Sequence, residues 1–377
     1  MPTPTLPFDI LTSIFKVLYQ WSMHSTIENH IFHTDLFNCS LVSHDWRAAA
    51  LPLLWMTLRI YQFIDKGWQR LADSLVAECA STIQGKINRA SYITNIKMYT
   101  YQNLRSDSYA PIIRILNLLQ ASQLRNIEVE TPLPDNILQT IFPALSHSLE
   151  SLSFVDSNEQ FRTCTPYSDI VLQNFPKSLR KLKYFASDRT VINSKNTFAL
   201  PKLRILYLSN LEMTADALDQ GLRTWHPNFK DLNITDSPKF FQSSVMHALA
   251  ECYPNLRCLT LHNYSRSSFA DISDEPLCCL IDSCLHLCYL DLHCVTNLSN
   301  LFLIHCAHHA RNLQELYIMQ NGFQLTGKGV VEMIGWKQRL KYIKIQVGGD
   351  EMDEEFVKAI VSNCKHLWLY KIGIFRN

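Results

Sequence analysis

The sequence predicts an α/β fold, a solenoid of about eleven strand–helix units behind a short all-helical region. Three observations carry that prediction. From residue 93 onward one short apolar pattern recurs eleven times. Between its copies lie stretches such as "DNILQTIFPAL" and "SSVMHALAECY", with apolar residues at helical spacing. Ahead of the first copy the chain carries helical patterns and no repeat.

The totals set the frame. At 377 residues the chain exceeds the ~250–300 at which one hydrophobic core stops growing, so several domains or an elongated array are expected. Apolar residues at 47%, charged residues at 18% and a net charge of +1 are an ordinary globular balance. A near-neutral chain has no electrostatic footprint for nucleic acid or an anionic membrane, and neither partner is expected. No apolar run approaches the ~18–20 residues of a membrane span. The opening "MPTPTLPFDI" lacks the basic and apolar regions of a secretory signal. The 12 cysteines are therefore expected as reduced, buried thiols in a cytoplasmic or nuclear protein.

The first element is "LPFDILTSIFKVL", residues 6 to 18. Pro7 suits the first turn of a helix, where a missing N–H costs nothing. Ile10, Leu11, Ile14, Phe15 and Leu18 then form a broad apolar face. The second element is "DLFNCSLVSHDWRAAALPLLW", residues 35 to 55. Asp35 is placed to cap a helix carrying Leu36, Cys39, Val42 and Trp46, and Pro52 is expected to break it near residue 51. Helices so short and few need a partner to complete a core. Residues 59 to 88 are helical in pattern and suit the cap that a solenoid needs over its first repeat. The expected boundaries are 5–56, 57–90 and 91–377.

The repeating element is apolar, two residues, apolar, one residue, apolar. It reads "ITNIKM", "LRNIEV", "LESLSF", "LRKLKY", "LRILYL", "FKDLNI", "LRCLTL", "LCYLDL", "LQELYI", "LKYIKI" and "LWLYKI". Ten steps run from Ile93 to Leu367, about 27 residues each, within the 20–29 of leucine-rich repeats. Alternation makes each copy a short strand with one buried face. One strand and one helix cannot bury their own faces, but stacked copies can, and the predicted result is a leucine-rich-repeat horseshoe. Asn210 and Cys294 fall one residue early for the usual corner position after the strand, while Cys252 and Cys284 precede strand-opening leucines. Those cysteines resemble the cysteine-containing subclass of these repeats, in which a thiol fills a tight corner.

Leu6, Pro7, Ile10, Leu11, Ile14, Phe15, Leu18, Leu36, Leu41, Val42, Ser43, Trp46, Leu54 and Trp55 form an ordered set over residues 5 to 56. It resembles the F-box: a Leu-Pro start, an I-L-x-x-I-F helix, a Leu-Val-Ser stretch, a tryptophan and a later Leu-Trp. Residues 19 to 34 are longer than the usual link between its first two helices, and Asp9 stands where glutamate is more typical. Followed by leucine-rich repeats, the set is similar to the F-box/leucine-rich-repeat family, in a style like that of fungal members. That resemblance implies a substrate receptor of an SCF-type cullin–RING ubiquitin ligase. The F-box would dock a small adaptor, which links to the cullin–RING module, and the repeats would hold a protein target. The implied adaptor contacts are Leu6, Pro7, Ile10, Leu11, Phe15, Val42 and Trp46, some of which the F-box must spend on its own packing. The alternative is a repeat scaffold with no ligase role, whose opening helices only cap the solenoid.

Target binding is expected on the concave sheet, where the third, fifth and seventh positions of each unit face outward. Tyr207, Asp231, His262, Tyr289, Asp291, His293, Glu315 and Tyr317 are the candidate residues there, and tyrosine is a favoured hot-spot residue. His262, Asp291, His293 and Glu315 also fall on neighbouring strands at a reach that zinc could use, but a polar binding surface is the plainer explanation. Cys278, Cys279, Cys284, Cys288, Cys294 and Cys306 contain no C-x-x-C pair, and "AHHA" at 307 to 310 reads as helix-face histidines. No Gly-rich phosphate loop or nucleophile elbow is present in the sequence. The expectation is a binding protein without a cofactor, not an enzyme.

Overall fold

A computed structural model describes residues 7–24, 36–60, 65–80, 88–98, 109–119, 124–129, 135–145, 147–155, 174–192, 198–225, 228–264, 272–294, 297–319, 324–336, 340–348 and 369–375. Leu6, Asp35 and most of the long 19–34 link lie outside the described residues. The chain divides into two units, residues 1–153 and 154–377.

The first unit opens with α1 (Phe8–His24). The carbonyl of Pro7 accepts from the amides of Ile10 and Leu11 at 3.0 and 3.1 Å, so the proline stands just before the helix, and Asp9 lies in the positive first turn. Leu11, Phe15 and Tyr19 recur every fourth residue and bury one stripe. They form a core with Leu36, Ala49, Ala50 and Leu53, and Trp46 packs on it with its ring 5.6 Å from Phe15, edge to face.

Two details differ from the sequence reading. No single helix runs from residue 35 through Trp46. Residues 36–39 form one helical turn, the chain turns at 40–42, and Ser43 caps a new helix, α2 (His44–Met56), its hydroxyl accepting from the Trp46 amide at 3.3 Å. Pro52 lies inside α2 instead of ending it. A proline removes one backbone bond near the end of that helix, and burial of Leu53 together with the helix-favouring run Ala48–Ala50 holds the last turn.

A strand also arrives earlier than the repeat pattern foretells. β1 (Thr57–Ile60) pairs in parallel with β2 (Asn95–Met98), Leu58 opposite Ile96, and β2 pairs with β3 (Asn126–Val129). Helices α3 (Asp65–Ala80), α4 (Tyr109–Leu119) and α5 (Asp135–Leu145) connect these strands and lead to β4 (Ser151–Val155). The Tyr19 and Thr57 hydroxyls lie 2.6 Å apart in a buried hydrogen bond that ties α1 to β1.

The second unit is a leucine-rich-repeat solenoid. Its strands are β5 (Lys181–Ile192), β6 (Ile205–Met213), β7 (Asp231–Thr235), β8 (Cys258–His262), β9 (Tyr289–His293), β10 (Glu315–Met319), β11 (Tyr342–Gly348) and β12 (Leu369–Phe375). Each pairs in parallel with the next, in chain order. Helices α6 (Ala215–Thr224), α7 (Ser243–Cys252), α8 (Asp274–Ser283), α9 (Asn300–His309) and α10 (Gly327–Trp336) return the chain between β6 and β11.

The pattern positions stack in register. Leu206, Leu232, Leu259, Leu290, Leu316 and Ile343 stand opposite one another strand by strand, all buried. Each such side chain stabilises the fold by about 1.5–3 kcal/mol. At each strand entry one carbonyl accepts two successive amides of the next strand. Arg204 accepts from Lys230 and Asp231, Lys230 from Arg257 and Cys258, and Arg257 from Cys288 and Tyr289. Cys288 and Gln314 continue the series. Asp236 and Cys294, directly after β7 and β9, and Asn210, inside β6 just past its last pair with β7, have φ of 49°, 58° and 56°. Asn and Asp tolerate that left-handed region best among residues with a Cβ. The corner is therefore turned at this position, which is why Asn210 and Cys294 look one residue early in the sequence.

Behind the sheet the helix layer is filled by aromatics. Phe198 meets Trp225 at 5.3 Å, Trp225 meets Phe229 at 6.4 Å, and Phe229 meets Tyr253 at 5.1 Å. The Tyr253 hydroxyl donates to the Leu222 carbonyl at 2.5 Å, and the buried Cys284 thiol donates to the Tyr253 carbonyl at 3.4 Å. Burial pushes that thiol up to about 12, so it stays protonated. Among the described residues no cysteine forms a disulfide, and no helix is long and apolar enough to cross a membrane.

Candidate functional site: an exposed apolar surface and a polar sheet face

The adaptor-contact candidates divide by their place on α1 and α2. Leu11 and Phe15 are 2% exposed, and Trp46 packs against them, so these three build the core of the helical region. Ile10 and Val42 are exposed, at 47% and 64%, and Pro7 is exposed beside them in sequence. Leu6 lies outside the described residues. The sequence had no means of making this division, because α1 is apolar on two faces at once.

The second face is the notable one. Ile10, Ile14 and Val17 lie one turn apart on α1 and are exposed, as is Phe8 at its start. Phe37, Leu41 and Val42, around the following turn, are exposed too. Isolated exposed apolar side chains are ordinary, but a concentration of them marks an interaction surface.

On the second unit all eight target-face candidates are half-buried and sit on adjacent strands, β6 to β10. Their contacts join them. Tyr207 donates to Asp231 Oδ2 at 2.7 Å, Tyr289 to Asp291 Oδ2 at 3.1 Å, and Tyr317 to Glu315 Oε2 at 3.1 Å. His262 Nε2 lies 3.0 Å from Asp291 Oδ2, close enough for a charge pair but poorly aligned for a hydrogen bond. The His262 and His293 rings are 5.5 Å apart, and Tyr289 and Tyr317 are 5.3 Å apart.

Neighbours that the sequence reading passed over complete this face. Tyr342 stacks on Tyr317 at 4.7 Å and occupies the same third strand position as Tyr289, which was the signal available for finding it. Lys183 and Lys181 lie 4.9 and 5.8 Å above the Tyr207 ring. Tyr264, two residues beyond His262, has its hydroxyl 3.0 Å from His262 Nδ1 and its ring 4.8 Å from His293. It lies past the strand pattern, and nothing in the periodicity marks it.

The electrostatics of this face follow from burial and from its own carboxylates. Burial first, then the neighbouring carboxylates, raise Tyr207, Tyr289 and Tyr317, so the phenols remain protonated donors. Burial also raises Asp231 from its ordinary value, against the pull of Tyr207, Lys181 and Lys183. The Cys258 thiol is pushed up to about 12 by burial, with Asp231 adding to it, and is no nucleophile at neutral pH.

No family model matches the chain, and no curated protein matches it. Among solved structures, a chain of the crystal structure of the Rad7 and Elc1 complex in yeast matches with a TM-score of 0.58. The match covers 98% of this chain and 90% of that one, at 12% sequence identity. What the two share is the fold. The likeness extends over nearly the whole chain, so it takes in the opening helices as well as the repeats.

Proposed function

We propose that this chain is the substrate-receptor subunit of an SCF-type cullin–RING ubiquitin ligase. Residues 5–56 act as an F-box that docks the adaptor, and the polar sheet face of the repeats holds a protein target. The observation that carries this reading is the second apolar surface of the opening helices, left exposed after their own core is complete. The F-box resemblance of the sequence supplies the kind of partner. The similar chain, solved in the Rad7 and Elc1 complex, supports a partner for this one by likeness of fold.

In this role the protein makes and breaks no bonds. It acts by proximity, raising the effective concentration of target lysines beside a charged ubiquitin-conjugating enzyme. The work is done in the cytoplasm or nucleus, where reduced thiols are the normal state. The tyrosine-rich row from Tyr207 to Tyr342 gives the target rigid aromatic anchors with polar ends.

The test is capture of a purified adaptor–cullin pair by the full chain and by an Ile10→Asp, Val42→Asp variant. Both positions are exposed, so the variant keeps its fold. Capture by the native chain and its loss in the variant is the expected result. Failure of the folded native chain to capture the pair overturns the reading and leaves residues 5–56 as the cap of a repeat scaffold.

A further inference from the structure

Away from both surfaces, the helix layer of the second unit brings together three side chains that no role so far employs. His305 and His309 are four residues apart on α9, hence on one face of the helix. Their rings are parallel to within 2°, with centroids 4.1 Å apart. From the neighbouring helix α8, Asp282 Oδ1 reaches His305 Nε2 at 2.9 Å and His309 Nδ1 at 2.9 Å. One carboxylate oxygen thus faces one nitrogen from each ring, and all three ligand atoms lie within 4.8 Å of one another.

We propose that Asp282, His305 and His309 form a site for a divalent transition cation, zinc foremost, clasping α8 to α9. Zinc takes imidazole nitrogen at about 2.0–2.1 Å and carboxylate oxygen at about 2.0–2.2 Å in tetrahedral geometry. Ligand atoms around such an ion stand about 3.3–3.5 Å apart, so each 2.9 Å contact opens by about half an ångström on binding. Two parallel rings cannot both point a lone pair at one ion, so binding also turns the His309 ring out of its stack on His305. The exposure of these side chains allows it: Asp282 is 47% and His309 52% exposed, with His305 at 23%. Water fills the fourth position. Two imidazoles with one carboxylate suit zinc, copper, nickel or cobalt; magnesium and calcium prefer all-oxygen sets.

A comparison group lies between α7 and α8. His247 Nε2 is 3.2 Å from Glu275 Oε2, and the Cys279 thiol donates to Glu275 Oε1 at 3.4 Å. It offers a single imidazole and a thiol that burial and then Glu275 keep protonated, which makes it the weaker ligand set and a useful control.

The experiment uses the full chain, stripped of metal and kept reduced. Zinc is titrated against a chromophoric chelator, and cobalt(II) serves as a spectroscopic probe. The expected result is one equivalent of zinc whose affinity falls about tenfold or more in His305→Gln, His309→Gln and in Asp282→Asn, while His247→Gln keeps it. Zinc also raises the thermal midpoint of the native chain and of His247→Gln, but not that of the double variant. Cobalt should give visible ligand-field bands without thiolate charge transfer. Unchanged affinity in the double variant, a thiolate band, or no binding by the folded chain overturns the proposal. Should the double variant fail to fold, Asp282→Asn alone decides the matter by the same titration.

Discussion

The opening helices and the repeats treat apolar surface in opposite ways. Of the ten large apolar side chains that stand exposed among the described residues, seven fall between residues 8 and 42, and the second unit holds the other three: Tyr264, Leu285 and Leu301. A repeat has a neighbour on either side with the same pattern, so its apolar positions close against copies of themselves. The opening helices have no such neighbour. They spend Leu11, Phe15 and Tyr19 on a small core and still carry a second stripe that stays exposed among the described residues. One region is closed by repetition, and the other leaves apolar surface open.

Breaking the small core should have the largest effect. Phe15→Ala removes a buried ring in edge contact with Trp46 and should cost about 3–5 kcal/mol in denaturant unfolding, whereas Ile10→Ala, on the same helix but exposed, should stay within about 0.5 kcal/mol. Equal losses at the two positions would erase the distinction between core and surface. A smaller effect is expected in the repeats. Tyr253→Phe leaves the Leu222 carbonyl without its donor in a closed interior and should cost about 1–3 kcal/mol, with the aromatic packing retained.

The smallest effect sharpens the picture of the polar face. Burial raises Asp231 above its unfolded value, so the native state favours the protonated acid more than the unfolded chain does. Its ionisation therefore weakens the fold as pH rises from below about 3.9 through the folded value. Asp231→Asn should flatten that part of the stability profile, read as denaturation midpoints across pH. A profile with the same slope in both proteins would place the desolvation elsewhere.

Much of this architecture is written in the spacing of leucines. An apolar residue at the first, fourth and sixth place of every unit fixes which strand face is buried, and from it follow both the stacked Leu206–Leu316 ladder and the outward third and fifth positions. Other features depend on contacts that spacing does not encode. Ile10 and Leu11 are equally apolar, and only the arrival of Leu36 and Ala49 decides which of them is inside. Pro52 reads as a stop until Leu53 is seen to be buried behind it. Thr57–Ile60 pairs with β2 residue for residue, and "WMTLRI" at 55 to 60 has the same apolar spacing, but its first residues belong to α2, so the copy reads as the end of a helix. The histidines of α9 read as ordinary helix-face residues until Asp282 is brought to them from α8.

The two-amide carbonyls at the strand entries bear on how such a chain can change over time. Because Arg204, Lys230, Arg257, Cys288 and Gln314 each set the alignment of the strand that follows, alignment is renewed once per unit and is not carried over from the length of what came before. An insertion between two strands is absorbed where it occurs, and every later unit keeps its place. A lineage could thus lengthen, shorten or redecorate single connections, and so alter what is recognised, without disturbing the spine that presents it.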